Sequence, residues 1–197
     1  MIYVLPGMGA DSSMYRGEWR TLEQCVFLEW PQYRGEQTLG AIAKRVVTEA
    51  GMVDGDVVVG HSLGGMVACE ISALRELQQL ILVSSARNPE EISALLAALH
   101  PLASVTPFRF AQLVAARLPG DLYKMFARSD PAFMRATCRA VFEWPGLRPP
   151  YPRIHRIHGR HDRVIPLPRE VDRIVEGGHV IPITHPQECV DFLRSVL

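Results

Sequence analysis

The chain has 197 residues, 48% of them hydrophobic, and its 21 basic and 21 acidic side chains balance to a formal charge of zero. That length and apolar content suit one domain with a substantial core, and the neutral charge gives no reason to expect nucleic acid or a membrane surface as a partner. The sequence has no basic leader and no apolar run near the roughly 18 residues that span a bilayer, so we expect a soluble, cytoplasmic protein.

The first half of the chain predicts strands alternating with helices. Residues 2–5, 25–28 and 56–59 are short apolar runs, which are typical of buried strands. Residues 38–50 place apolar side chains at helical spacing and are followed by a glycine, and residues 64–74 predict a second helix.

The last part of the chain continues this alternation. Residues 80–83, 154–157 and 171–175 predict strands, and residues 186–197 predict a closing helix. Alternating strands and helices favour right-handed crossovers. The expected fold class is therefore α/β, with a mostly parallel sheet of about six strands and helices on both faces.

Residues 88–151 interrupt the pattern with consecutive helices and predict a helical cap inserted before the strand at 154–157, within a single domain over residues 1–197. Asn88 and the Asp130-Pro131 pair are candidate helix starts. The apolar stripes expected on these helices are Ile92, Leu95, Leu96 and Leu99; Phe110, Leu113 and Val114; and Met134, Cys138 and Val141. Residues 101–163 carry 11 basic and 4 acidic side chains. The excess of basic side chains either covers solvent-exposed faces of helices or attracts an anionic group.

The four cysteines are expected to be reduced core thiols. Cys25, Cys69, Cys138 and Cys189 stand far apart, and they form no C-x-x-C pair. Most of them lie in apolar segments, where a free thiol behaves as a small hydrophobic group.

The sharpest local signal is Gly60-His61-Ser62-Leu63-Gly64-Gly65, directly after an apolar strand and directly before a helix. In such a tight turn the serine backbone is strained, and the flanking glycines let neighbouring backbone approach closely. The turn lifts the hydroxyl into a cleft at a helix N-terminus, where a developing oxyanion is favoured. Ser62 is therefore the candidate nucleophile. A turn that only packs closely, or that binds a phosphate, is the alternative.

A serine nucleophile needs a base and a group that orients the base. His179 follows the last predicted strand and two glycines, and it is the candidate general base. Asp162 lies in the loop after the strand at 154–157 and is the candidate acid. The chain order Ser, Asp, His is the order expected for a nucleophile elbow of this type.

Other histidines and acids compete less well. His185 precedes Pro186 and favours the start of the last helix, but it stays open as an alternative base. Asp54 and Asp56 lie at the amino end of their strand, and the loop after residues 80–83 has no carboxylate. The remaining histidines are expected to be structural or to line the site: His61, His155, His158 and His161.

An oxyanion hole needs two backbone amides. Leu63, directly after the candidate nucleophile, supplies one, and Met8 in the loop after the first strand is chosen for the other. Gly7, His61 and Met66 flank these groups and are the predicted substrate contacts.

These motifs together resemble the α/β-hydrolase superfamily: P-G-M-G after the first strand, G-H-S-L-G-G at the elbow, H-G-x-x-D-x-x-x-P at the acid and G-G-H before the last helix. The resemblance implies hydrolysis of an ester, thioester or amide through an acyl-enzyme, with no metal or organic cofactor. Leu63, Met66 and the leucines and phenylalanines of the expected cap predict that the acyl group of the substrate is small and apolar.

The chain departs from the family pattern in three ways. The strand at 2–5 corresponds to the family's third strand, Pro6 stands where many members have histidine, and the short interval between Asp162 and His179 leaves little room for the usual helix. Two other functions stay open on this fold: a lyase acting on C–C bonds or cyanohydrins, and a ligand-sensing or protein-binding module with a vestigial triad. The physiological substrate and the oligomeric state do not follow from the sequence.

Overall fold

The computed structural model describes residues 1–92, 124–126 and 128–197, and within them a parallel sheet forms the centre of the molecule. Its strand order is β2-β1-β3-β4-β5-β6, and every neighbouring pair is parallel. The strands are β1 (Ile2–Leu5), β2 (Cys25–Phe27), β3 (Val57–His61), β4 (Gln79–Val83), β5 (Ile154–Gly159) and β6 (Arg173–Val175).

Helices cover both faces of this sheet. On one face lie α1 (Leu39–Ala50), α2 (Leu63–Ile71) and α3 (Pro131–Phe142), whose apolar side chains share one buried cluster. On the other face lie α4 (Ile181–Thr184), α5 (Pro186–Val196) and two short 3-10 helices, Ser12–Met14 and Gly17–Thr21. The expected α/β architecture, with a parallel sheet of six strands in the described residues, is confirmed.

The central strands are buried on both sides, which explains their continuous apolar sequences. In β1, Tyr3 and Leu5 point into the cluster with α1 and α2, whereas Val4 points into the cluster with α5. The same alternation places Leu80 and Leu82 of β4 on one face and Ile81 on the other.

Two strands extend beyond their predicted ends. β3 continues through Gly60 and His61, and β5 continues through His158 and Gly159, whereas apolarity alone ended them at residues 59 and 157. The extra residues are polar or lack a side chain. They are nevertheless paired in the sheet, because Gly60 lies opposite Leu5 and His158 lies opposite Ile174.

The last strand is shorter than predicted, since β6 begins at Arg173 and not at residue 171. The Asp172 N–H donates to the Arg156 carbonyl at 3.0 Å. The Arg156 N–H, however, donates to the Asp172 carboxylate at 2.6 Å. A side chain therefore replaces the backbone acceptor here, and regular pairing with β5 starts one residue later.

Helix ends follow the predicted caps with small shifts. The Thr38 hydroxyl accepts from the Ala41 N–H at 3.1 Å, and Gly51 closes α1 with a φ of 67°. Helix α2 ends at Ile71, three residues before the predicted end. There the Ser72 hydroxyl donates to the Cys69 carbonyl at 2.8 Å, and the chain continues as turns.

The structure describes only the two ends of the block at 88–151. Asn88 precedes a short 3-10 helix, Pro89–Glu91, and Asp130 caps α3 by accepting from the Ala132 N–H at 2.8 Å. Met134, Cys138 and Val141 are buried as predicted. The other predicted stripe residues, Leu95, Leu96, Leu99, Phe110, Leu113 and Val114, lie outside the described residues, so the boundaries of a helical cap and of the domain stay predictions.

All four cysteines are free thiols. Cys69, Cys138 and Cys189 are buried, and burial raises the pKa of Cys138 to about 11, well above the range in which a thiolate forms at neutral pH. Among the helices of the described residues, none combines the length and the apolarity that crossing a membrane requires.

Candidate active site

Ser62 stands at the sharp turn between β3 and α2. Its φ of 53° and ψ of −120° lie in a region that a non-glycine residue occupies only under strain. Backbone hydrogen bonds hold the turn. The Ser62 N–H donates to the Val83 carbonyl at 3.2 Å, and the N–H groups of Gly65 and Met66 donate to the Ser62 carbonyl at 3.0 Å and 3.3 Å. The strain is thus fixed by the neighbouring strand β4 and by the first turn of α2.

The glycines around Ser62 are required by close backbone contacts. A Cβ placed on Gly60 would lie 2.3 Å from the Gly64 carbonyl oxygen, and one on Gly64 would lie 2.5 Å from the Pro6 carbonyl oxygen. No side chain fits at either position. The glycine pattern therefore lets α2 start directly above β1 and β3, as the sequence predicted.

Ser85 is a contact of the turn that the sequence did not reveal. It follows β4, and its hydroxyl donates to the Ser62 carbonyl at 2.7 Å. Its Oγ would also lie 2.3 Å from a Cβ on Gly65. In the sequence, the only indication of this contact is a small hydroxyl residue directly after the strand beside the elbow. The partner of that hydroxyl is seen only in the tertiary structure.

Asp162 lies in the loop after β5 and is held on both carboxylate oxygens. Its Oδ1 accepts from the N–H groups of Val164 at 2.8 Å and Ile165 at 2.9 Å. Its Oδ2 accepts from His179 Nδ1 at 2.8 Å. Burial alone raises the pKa of Asp162, but the charge of His179 and the bonds from His158, His179 and the Ile165 N–H outweigh it and hold the pKa well below its usual range.

The replacement Asp162→Asn is expected to make stability less dependent on pH in acid. Because the folded pKa lies below the ordinary value of 3.8, the ionised carboxylate stabilises the fold above that pH, and this contribution is lost as the pH falls through and below it. Urea unfolding should show a larger difference in unfolding free energy between wild type and variant at about pH 5 than at about pH 3. Equal differences at both pH values would contradict this expectation.

His179 follows β6 and joins the other two side chains. Its Nε2 lies 2.9 Å from Ser62 Oγ. Because the carboxylate of Asp162 can only accept, Nδ1 donates to it and Nε2 is free to accept from the serine hydroxyl. The loop before His179 crosses close to β5, since a Cβ on Gly159 would lie 2.2 Å from the Gly178 carbonyl oxygen. The predicted glycine-rich loop thus turns the imidazole back to the elbow.

His61 supports the main chain of His179. His61 is 4% exposed, and its Nε2–H donates to the His179 carbonyl at 3.0 Å. Burial lowers the pKa of His61 to about 3, and the nearby His179 adds to this effect. The ring therefore stays neutral at ordinary pH. This bond is a main-chain support of the candidate base, whereas the substrate contact predicted for His61 stays a prediction.

The competing histidines lie elsewhere. His185 is the residue before α5, and its Nδ1 lies 2.8 Å from the Thr184 hydroxyl. His161 is exposed and lies 3.4 Å from Glu176. His155 faces Asp172 at 3.9 Å. In the described residues, His179 is therefore the histidine whose side chain lies between a serine hydroxyl and a carboxylate.

The loop after β1 lies against the elbow. The Gly7 carbonyl accepts from the Ala10 N–H at 3.2 Å and from the Trp30 indole at 3.0 Å, which closes a turn around Met8. A Cβ on Gly7 would lie 2.8 Å from His61 Nδ1 and 3.5 Å from Ser62 Cβ. This places Gly7 beside the candidate nucleophile, and Met8 follows it in the same turn.

The first turn of α2 follows Ser62 directly in the chain. Leu63 is the first residue of that helix, so its N–H has no acceptor within the helix. Met66, one turn along α2, is 3% exposed and belongs to the buried cluster beneath the elbow. In residues 1–92, 124–126 and 128–197 no three His, Cys, Asp or Glu side chains form a group suited to a metal ion.

The chain matches a family model described as "Alpha/beta hydrolase family" over residues 2–192. No curated protein sequence matches it.

Solved structures of similar fold cover nearly the whole chain. A thermophilic esterase from Thermogutta terrifontis superposes with a TM-score of 0.79 at 18% identity, and the match covers 98% of this chain and 88% of the esterase. The RedJ thioesterase of prodiginine biosynthesis in Streptomyces coelicolor superposes with a TM-score of 0.76 at 19% identity, and the match covers 100% of this chain and 89% of the thioesterase. The esterase EaEST from Exiguobacterium antarcticum superposes with a TM-score of 0.74 at 16% identity, and the match covers 100% of this chain and 91% of EaEST. At such identities the likeness concerns the fold.

Proposed function

The chain belongs to the alpha/beta hydrolase family, and from that membership we propose that it is a serine hydrolase that cleaves a carboxylic ester, thioester or amide through an acyl-enzyme. The observation that carries the proposal is the unbroken chain of hydrogen bonds from Ser62 Oγ through both nitrogens of His179 to Asp162 Oδ2, at 2.9 Å and 2.8 Å. These three side chains come from loops after β3, β6 and β5, which meet at one edge of the sheet.

Acylation begins at the Ser62 hydroxyl. As Oγ attacks the substrate carbonyl carbon, its proton passes to His179 Nε2, and the imidazolium formed is stabilised by Asp162. Asp162 stays ionised, because its pKa is already held below its usual range, and its role is to fix the ring and its tautomer. The tetrahedral intermediate then collapses, and Nε2 returns the proton to the leaving alcohol, thiol or amine.

Deacylation repeats the same proton path with water. Nε2 takes a proton from a water molecule, whose oxygen attacks the acyl carbon, and then gives that proton to Ser62 Oγ as the acid leaves. The enzyme returns to its starting state with one water consumed for each bond cleaved.

The oxyanion of both intermediates is assigned to the amides of Leu63 and Met8. The Leu63 amide begins α2, where the helix dipole favours negative charge. Met8 lies in the turn that Trp30 fixes beside Ser62. The side chains of Met8 and Phe126, whose ring packs against Gly9 of this turn, are apolar, which supports a small apolar acyl group.

Purified protein is expected to turn over short p-nitrophenyl esters or short acyl thioesters, because the site has an activated alcohol and no charged side chain among the residues assigned to the acyl group. Parallel assays of an ester, a thioester and an anilide with the same acyl group measure which bond is preferred. Turnover of any of them supports the proposal.

The other candidate functions predict different results. Labelling of Ser62 by a fluorophosphonate without turnover of any acyl substrate would indicate a binding module. Cleavage of a cyanohydrin or a C–C bond without hydrolysis would indicate a lyase. Either result would contradict the proposed function.

A further inference from the structure

His158 is a second imidazole on the acid of the site, and the hydrolytic cycle above does not use it. It lies on β5, four residues before Asp162, and it is 1% exposed. Its Nε2 lies 2.9 Å from the Ile165 carbonyl oxygen and 3.3 Å from Asp162 Oδ2. A polar ring buried this deeply is costly unless its nitrogens have partners.

The partners fix the tautomer of His158. A carbonyl oxygen only accepts, so Nε2 carries the hydrogen. The same N–H faces Asp162 Oδ2, the oxygen that also accepts from His179 Nδ1 at 2.8 Å. Oδ2 thus lies between two imidazole N–H groups, and Oδ1 is taken by two backbone amides. The carboxylate has little freedom to rotate.

His158 also ties this loop to the sheet. The Ile165 N–H donates to Asp162 Oδ1 at 2.9 Å, while the Ile165 carbonyl accepts from His158. Asp162 therefore holds the Ile165 N–H in the turn at 162–165, and His158 of β5 holds the Ile165 carbonyl. Independent backbone bonds position the loop as a whole, because the Arg160 N–H donates to Val175 and the His161 N–H donates to Gly177, at 2.8 Å and 2.9 Å.

We propose that His158, with a hydrogen on Nε2, is a positioning residue that sets the orientation of the Asp162 carboxylate and, through it, of His179. The inference rests on the proposed function. It assigns a role in turnover to a residue that acts through Asp162. Because backbone bonds already hold the loop, loss of the His158 N–H is expected to misorient the carboxylate without unfolding the loop.

The kinetic test compares His158→Leu, which removes the donor, with His158→Gln, which keeps an N–H group. His158→Leu is expected to lower kcat for a p-nitrophenyl ester by on the order of ten- to a hundredfold with little change in KM, and His158→Gln to recover most of the loss. In an Asp162→Asn background, the leucine change should cause no further loss, since both act through one carboxylate. A wild-type kcat in His158→Leu, or a loss that multiplies in the double variant, would overturn the proposal.

A measurement on proteins that keep His158 covers the case in which the leucine variant does not fold. Ring 15N and 1H NMR of wild type should show His158 as the Nε2–H tautomer, with a proton resonance that moves upfield in Asp162→Asn. The Nδ1–H tautomer, or a resonance that Asp162→Asn leaves unchanged, would overturn the proposal. Absence of turnover in wild type would contradict the proposed function, whereas wild-type turnover with an unaffected His158→Leu would contradict only this inference.

Discussion

Replacing Ser62 by alanine is expected to lower kcat for ester hydrolysis by roughly 10⁴- to 10⁶-fold. The alanine removes the oxygen that attacks the carbonyl, while the strained turn, the oxyanion amides and the His179–Asp162 pair remain. Steady-state assays of wild type and variant measure the effect, and circular dichroism checks that the variant is folded.

Ser195→Ala is the matched control, because in the described part of the chain its hydroxyl donates to the Phe192 carbonyl within α5 and lies far from Ser62 in the sequence. Its kcat should equal that of wild type. If Ser62→Ala kept full esterase activity, a different nucleophile would be at work.

Replacing His179 by alanine is expected to lower kcat by a comparable factor, roughly 10⁴-fold or more. The alanine removes the proton acceptor Nε2, which lies 2.9 Å from the Ser62 hydroxyl. Without it, Ser62 stays a neutral and weak nucleophile. The loss should appear in kcat with little change in KM, since the base acts in the transition state and not in substrate binding.

His185→Ala separates this assignment from its competitor. His185 precedes α5 and contacts Thr184, so its replacement should leave kcat within about threefold of wild type. A large loss in His185→Ala together with a small loss in His179→Ala would exchange the two roles.

Strand apolarity predicted the sheet well and its carboxyl ends poorly, for a physical reason. Runs such as Val57-Val58-Val59 are apolar because both faces of β3 are covered. At the carboxyl edge the same strands continue through His61 and His158, whose rings are buried but bond to His179 and to the acid loop. A strand that ends in a polar supporting residue therefore looks shorter in the sequence than it is.

The elbow, the acid loop and the glycine-rich loop before His179 were predictable because each is a local pattern next to a predicted strand. Their meeting at one edge followed from the parallel sheet alone. The contacts of Ser85 with the Ser62 carbonyl and of His61 with the His179 carbonyl were not predictable. They join residues far apart in the chain, and nothing in the local sequence of either partner indicates the other.

Fluorophosphonate labelling tests the activation of Ser62 by His179 at its root, because it locates the reactive residue and measures how fast that residue reacts. We expect one adduct per chain, on the peptide that contains Ser62, and we expect it to form on the order of 10³-fold or more slowly in His179→Ala than in wild type. An adduct on any other residue, or equal labelling rates in wild type and His179→Ala, would contradict the claim that His179 activates Ser62.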